Sequence, residues 1–201
     1  MKKASVLIFT LLCMVLISPS KGNVVFIDNF NSENGGIGTL NYNAFANWTV
    51  SDGTVDLIGN GFYDFLPGNG LYVDMDGSTG NAGKMLTLNT LNLQPGTYAL
   101  SFDLAGNHRN GSAETVSVKV ETGISSTTYS LNQSDPFQTF TQLFTINSAT
   151  SVNLSFEGVG GDNIGMLLDN VKVSAVPAPG AILLGGIGTG LVGWLRRRKT
   201  V

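Results

Sequence analysis

Gly96-Thr97-Tyr98-Ala99-Leu100-Ser101-Phe102-Asp103-Leu104 alternates large apolar side chains with small or polar ones. Successive side chains of a β-strand point to opposite faces, so Tyr98, Leu100, Phe102 and Leu104 line a buried face and Ala99, Ser101 and Asp103 the other. Similar runs recur at residues 24–27, 48–50, 54–58, 70–73 and 84–88, and again at 114–121, 127–131, 137–146, 151–156 and 166–173. Between them sit Asn34-Gly35, Asp52-Gly53, Asn60-Gly61, Asn69-Gly70, Asp76-Gly77 and Asn110-Gly111. Glycine and asparagine accept positive φ, so these pairs are turns with a mechanism. Nothing between residues 23 and 175 repeats with a convincing helical period. Many short strands at close spacing make the chain all-β, a jelly-roll β-sandwich.

The two ends follow other rules. Lys2 and Lys3 precede an apolar run at 6–17, and small residues at Ser18, Ser20 and Gly22 offer cleavage points. That layout is a secretory signal peptide over residues 1–22, its apolar run too short to span a bilayer. Cys13 belongs to the run, because Leu12 before it is too large for a lipoprotein cleavage site. At the other end no charge occurs from residue 174 to 195, and Arg196, Arg197, Arg198 and Lys199 follow at once. Roughly 20 apolar residues cross the hydrocarbon core as a helix. The core of this segment, 181–195, is shorter and carries five glycines, so it is a short single transmembrane helix that draws on its flanks. Pro177 and Pro179 mark its start, Trp194 suits the headgroup level, and the basic cluster is a cytoplasmic stop. Residues 23–175 then lie outside the cytoplasm, as one domain large enough for its own core.

That middle segment keeps all 14 acidic residues of the chain but only Lys84, Arg109, Lys119 and Lys172 as bases, a net charge of −10 against −3 for the whole. Such a balance argues against nucleic acid as a partner and is compatible with divalent cations or neutral glycans. The segment has no cysteine, so no disulfide staples it.

Val176-Pro177-Ala178-Pro179-Gly180, the apolar core and the terminal Arg-rich cluster together resemble the PEP-CTERM sorting signal of bacterial exported proteins. The resemblance implies an exosortase-like membrane enzyme as the partner that reads and cleaves the tail. Ala178 departs from that pattern, in which glutamate is usual, so the motif is a variant subtype. It covers about an eighth of the chain. Trp48-Thr49-Val50, Gly70-Leu71-Tyr72-Val73-Asp74, Pro95-Gly96-Thr97-Tyr98 and Leu167-Leu168-Asp169-Asn170-Val171 are similar to exported jelly-roll domains of the galactose-binding and carbohydrate-binding-module kind. In that group a structural calcium commonly ties the N-terminal segment to the last strand, which implies Asp169 as a ligand.

The residues themselves leave two readings of Asp169 open. A carboxylate in an apolar strand needs a cation or several hydrogen-bond donors. Calcium takes six to eight oxygens, so Asp28 or Asn31 from the first strand and its loop would join it. Otherwise Asp169 faces solvent at a strand edge or accepts turn hydrogen bonds. Asp74 and Asp76 flank Met75 and read as an acidic strand exit into a polar loop, with a second cation site or a sugar-facing rim as the alternative. His108 and Arg109 sit in a loop with no zinc site or nucleophile motif around them. Exposed aromatic faces stack on sugars, and Trp48, Tyr63 and Tyr72 are the candidates, with Trp48 also a natural core residue. Phe62-Tyr63-Asp64-Phe65-Leu66 is unusually aromatic for a loop between glycine-rich turns.

The expectation is an exported cell-surface or extracellular-matrix protein. It is held in the membrane by its tail before processing, and is structural or adhesive, with weak binding of glycan or exopolysaccharide. The alternative is a small polysaccharide-acting enzyme built on two of the many carboxylates.

Overall fold

A computed structural model describes residues 22–109, 114–121 and 125–177. Residues 1–21 of the expected signal peptide, Ala178, Pro179, Gly180, the expected transmembrane helix and the basic cluster lie outside the described residues. Among those described, no helix is long and apolar enough to cross a membrane.

Val24–Ala175 forms one compact unit with its own core. Its strands are β1 (Val24–Asp28), β2 (Trp48–Ser51), β3 (Asp56–Gly59), β4 (Leu71–Asp74), β5 (Lys84–Thr87), β6 (Leu91–Leu93), β7 (Gly96–Ala105), β8 (Glu114–Glu121), β9 (Ser125–Leu131), β10 (Gln138–Ile146), β11 (Thr150–Val159) and β12 (Leu167–Ala175). They form two six-stranded antiparallel sheets. The first runs β10-β7-β12-β4-β3 with β1 also on β12, and the second runs β2-β5-β11-β8-β9 with β6 also on β11. Every strand read from the sequence is present. β6 was not legible, because Leu-Asn-Leu is too short to display a period. A single 3-10 turn, Glu33–Gly36, interrupts the loop after β1. Glu33 is buried there and accepts the Ala46 N–H at 3.0 Å, which pins the turn to the loop before β2.

β7 alternates as its sequence requires. Tyr98, Leu100, Phe102 and Leu104 are buried, while Ala99, Ser101 and Asp103 are only partly covered. β10 lies beside it in register, so Phe140 opposes Phe102 and Phe144 opposes Tyr98, and the latter two rings stack at 5.7 Å. At the other end of the core Trp48 is 1% exposed, with the rings of Phe26, Phe30 and Phe156 at 5.5, 6.4 and 5.7 Å. Trp48 therefore has no free ring face, and the sugar-stacking role considered for it is corrected to a core role. Packing of a large ring between the sheets won over exposure.

The outer face of the first sheet is not bare. Pairing places Ala105, Leu167, Asp74 and Asp56 in one row across β7, β12, β4 and β3, and Thr139, Asp103 and Asp169 in the next. Residues 60–70 fold back over the first row, and Phe62, Phe65 and Leu66, with Phe137, pack on Ile58, Tyr72, Ala105 and Leu167. Tyr72 is fully buried beneath them, so its expected role as a sugar platform is also corrected. Its hydroxyl accepts the Leu66 N–H at 2.9 Å and donates to Asp64 at 3.1 Å. Burial, and secondarily the Asp64 carboxylate, push the Tyr72 phenol up to about 12.

Candidate functional site

Beside that covering loop the chain forms a pocket of about 80 Å³, with Leu40, Ile58, Tyr63 and Phe65 as apolar lining and Asp56, Ser78 and Arg109 as polar lining. The sequence builds it at one end of the first sheet's edge, where Asp56 and Asp74 pair across β3 and β4. β3 opens with Asp56, whose Oδ1 accepts the N–H groups of Asn41 and Ser78 at 2.7 and 3.1 Å and whose Oδ2 accepts the Ser78 hydroxyl at 2.7 Å. β4 ends with Asp74, fully buried, whose Oδ1 accepts the N–H groups of Gly165 and Asp76 at 2.8 and 3.1 Å. Its Oδ2 takes the Arg109 guanidinium. Arg109 also donates to the Asn163 carbonyl at 2.9 Å, and its guanidinium lies 4.8 Å from the centre of the Phe65 ring.

Tyr63 stands over this arrangement. It is 56% exposed and held edge-on to Phe62 at 4.9 Å. Its φ of 44° is in the left-handed region, which a bulky residue enters at a cost. A fixed, exposed ring beside paired hydrogen-bonding groups can take the apolar face of a small polar molecule and bond its hydroxyls. Of the three aromatic candidates in the sequence, Tyr63 alone keeps an open face. Arg109, which the sequence places in a loop with no motif around it, is paired with a buried carboxylate. The signal for its role is charge: four bases serve 14 acids in residues 23–175, so a base in a loop has buried carboxylates to find.

Asp74 and Asp76 stand at the exit of β4 into a polar loop, and both are buried there. Asp76 is 1% exposed, and its Oδ2 accepts the N–H groups of Gly161 and Asp162 at 2.7 and 3.2 Å.

The three residues expected to hold calcium are tied up separately. Asp28 accepts the Phe30 N–H on Oδ1 at 2.9 Å, and the Asn47 amide and the Trp48 indole on Oδ2 at 3.0 and 2.9 Å. Asn31 uses its Oδ1 for the Leu71 N–H at 2.7 Å. Donor hydrogens thus point where a cation would need bare oxygens. Asp169 is 2% exposed and accepts the Asn170 N–H at 2.7 Å. Burial, then the carboxylates of Asp103 and Asp28, push it up to about 7 against the lowering effect of that bond. These residues do not fit calcium as a set. Among the described residues no three His, Cys, Asp or Glu side chains gather closely enough to hold a metal ion.

Comparison with solved structures gives the architecture a context. The CBM22-1 xylan-binding domain of Paenibacillus barcinonensis Xyn10C is 13% identical with a TM-score of 0.51, over 80% of this chain and 99% of that one. The CBM22-1-CBM22-2 tandem domain of the same protein is 14% identical with a TM-score of 0.53, over 80% of this chain and 48% of that one. The CBM22-1-GH10 modules of Clostridium thermocellum xylanase 10B, complexed with xylohexaose, are 14% identical with a TM-score of 0.50, over 78% of this chain and 29% of that one. The domain has the fold of a carbohydrate-binding module. No family model and no curated protein sequence matches the chain. At these identities the likeness is one of fold, and the site must be read from its own residues.

Proposed function

We propose that residues 23–175 are a carbohydrate-binding module of an exported surface or matrix protein, and that the Tyr63 pocket is where it takes a neutral glycan. The carrying observation is Tyr63 itself, an exposed ring fixed at the mouth of a pocket lined by Asp56, Ser78 and Arg109. The ring stacks on a pyranose face while the polar lining meets its hydroxyls. The module has a strong net negative charge, and Arg109 is already engaged by Asp74, so a neutral sugar suits the site better than an acidic one. The xylan-binding of the neighbouring folds supports a β-linked polysaccharide as the first ligand to try. The sorting tail, read by an exosortase-like enzyme, would deliver the module to the envelope or matrix, where binding serves adhesion and not turnover.

Affinity electrophoresis through gels containing soluble xylan or mixed-linkage glucan tests this. Wild-type protein should be retarded and Tyr63→Ala should migrate as in a polysaccharide-free gel, at an unchanged melting temperature. Equal migration of both proteins in every gel would remove the pocket as a glycan site.

A further inference from the structure

We propose that the flank formed by β10 and β9 is a self-association surface, joining two copies by antiparallel pairing of β10 with β10. β10 and β9 end their respective sheets. Gln142 and Thr127 bond across the two at 2.7 Å, and Tyr129 packs on Phe140 at 4.8 Å, so both edges form one flank. A terminal strand presents unpaired backbone groups, and proteins blunt such edges with charge, proline, bulges or shortness. β10 carries none of these. It is nine residues long, without a charged residue or proline, and pairs continuously with β7. Away from this flank, the strands with a single partner are short or interrupted. β2 and β3 have four residues each, β6 has three, and β1 has five with a break in register between Val24 and Phe26. β3 also opens with Asp56, and Asp52 follows β2.

Charge selects the partner. In a segment of net charge −10, two copies repel wherever their acids meet. Between Glu121 and Glu157 the sequence holds one charged residue, Asp135, so this flank is where copies approach at least electrostatic cost. The strand is also self-complementary. A two-fold axis through its midpoint, Gln142, sets Thr141 opposite Leu143, Phe140 opposite Phe144 and Thr139 opposite Thr145, each pair on one face. Leu143 is 62% exposed in the single copy and would be covered. Gln142, on the axis, stays with its own copy: its Nε2 donates to the Thr127 hydroxyl and its Oε1 is buried inside the domain.

One strand pair with its flanking side chains falls below the roughly 1,200 Å² of a standard stable interface, so the dimer is weak and concentration-dependent. Sedimentation equilibrium of residues 23–175, which include the whole compact unit, reads it directly. The mean mass should rise toward twice the monomer value as concentration increases. Thr141→Glu/Leu143→Glu sets acid opposite acid on both sides of the axis and should weaken association at least about tenfold. Both positions are exposed, so the thermal melt should not change. Thr49→Glu/Ser51→Glu adds the same charge to β2 and should associate like wild type. A wild-type mass that stays monomeric at every concentration overturns the proposal. So does a β10 variant that associates no more weakly than the β2 variant.

Discussion

Asp169 lies buried on the outer face of the first sheet with Asp103 directly opposite on β7, and the Asn170 amide bridges the pair at 3.2 and 2.9 Å. Like charges facing each other across strands destabilise a sheet. Asn170, at a φ of 50° where the β12 pairing slips, relieves part of that. The rest is relieved by a proton, because the folded carboxyl titrates at about 7 and not at its ordinary 3.8. The folded state thus binds this proton more tightly than the unfolded chain. Its stabilising contribution is complete below the unfolded value and is lost as pH rises through about 7. Melting temperature should fall between pH 5 and pH 8. Asp169→Asn keeps the shape and removes the charge. It should flatten that slope and stabilise the protein at pH 8 by on the order of 3 kcal/mol. A variant with the wild-type slope across this range would mean that another group titrates there.

Between β3 and β4, residues 60–70 show how an element can be both turn and cover. Gly61, Gly68 and Gly70 take positive φ, and a Cβ on Gly59 would collide with the Gly70 carbonyl oxygen, so the chain can leave and re-enter the sheet at one point. Phe62, Phe65 and Leu66 then hold the loop down by burial, and the Tyr72 hydroxyl holds it by two hydrogen bonds. Tyr72→Phe keeps the ring and strips both bonds. It should cost about 1–2 kcal/mol and raise hydrogen exchange at the Leu66 amide well above that of the β7 amides. Unchanged exchange at Leu66 would place the anchor in the aromatic packing alone. The strands themselves were legible because a two-residue period is a local property, and Tyr98 to Leu104 declares it within one run. The site was legible only in part. Tyr63 stands out by its aromatic neighbours, but the burial of Asp74 and Asp76 depends on Arg109, Gly161 and Gly165, 35 to 91 residues away in sequence. No local pattern carries such pairings. The same distance effect turned Trp48 from a surface candidate into a core residue, since Phe156 closes over it from β11.

At the scale of the whole domain, residues 23–175 carry a net charge of −10, and the fold has to accommodate the acids it buries. Each buried acid has its own answer. Asp28 is met by Trp48 and Asn47, Glu33 by the Ala46 N–H, Asp56 by Asn41 and Ser78, Asp74 by Arg109, Asp76 by the loop amides of Gly161 and Asp162, and Asp169 by a proton. Among the described residues these solutions leave no three acids gathered closely enough to hold a divalent ion. They also leave the longer-range repulsion among all the acids to be screened by solvent salt, over a Debye length of about 10 Å at 0.1 M. Thermal melts of residues 23–175 separate the two effects. At fixed ionic strength the midpoint should be the same in calcium as in EGTA. Raising sodium chloride from low concentration to about 0.15 M should lift the midpoint by a few degrees through screening alone. A rise of several degrees specific to calcium, at constant ionic strength, would mean that the ion displaces one of these internal donors. Asp28 would be the first place to look, because its carboxylate is one of the two that act on Asp169.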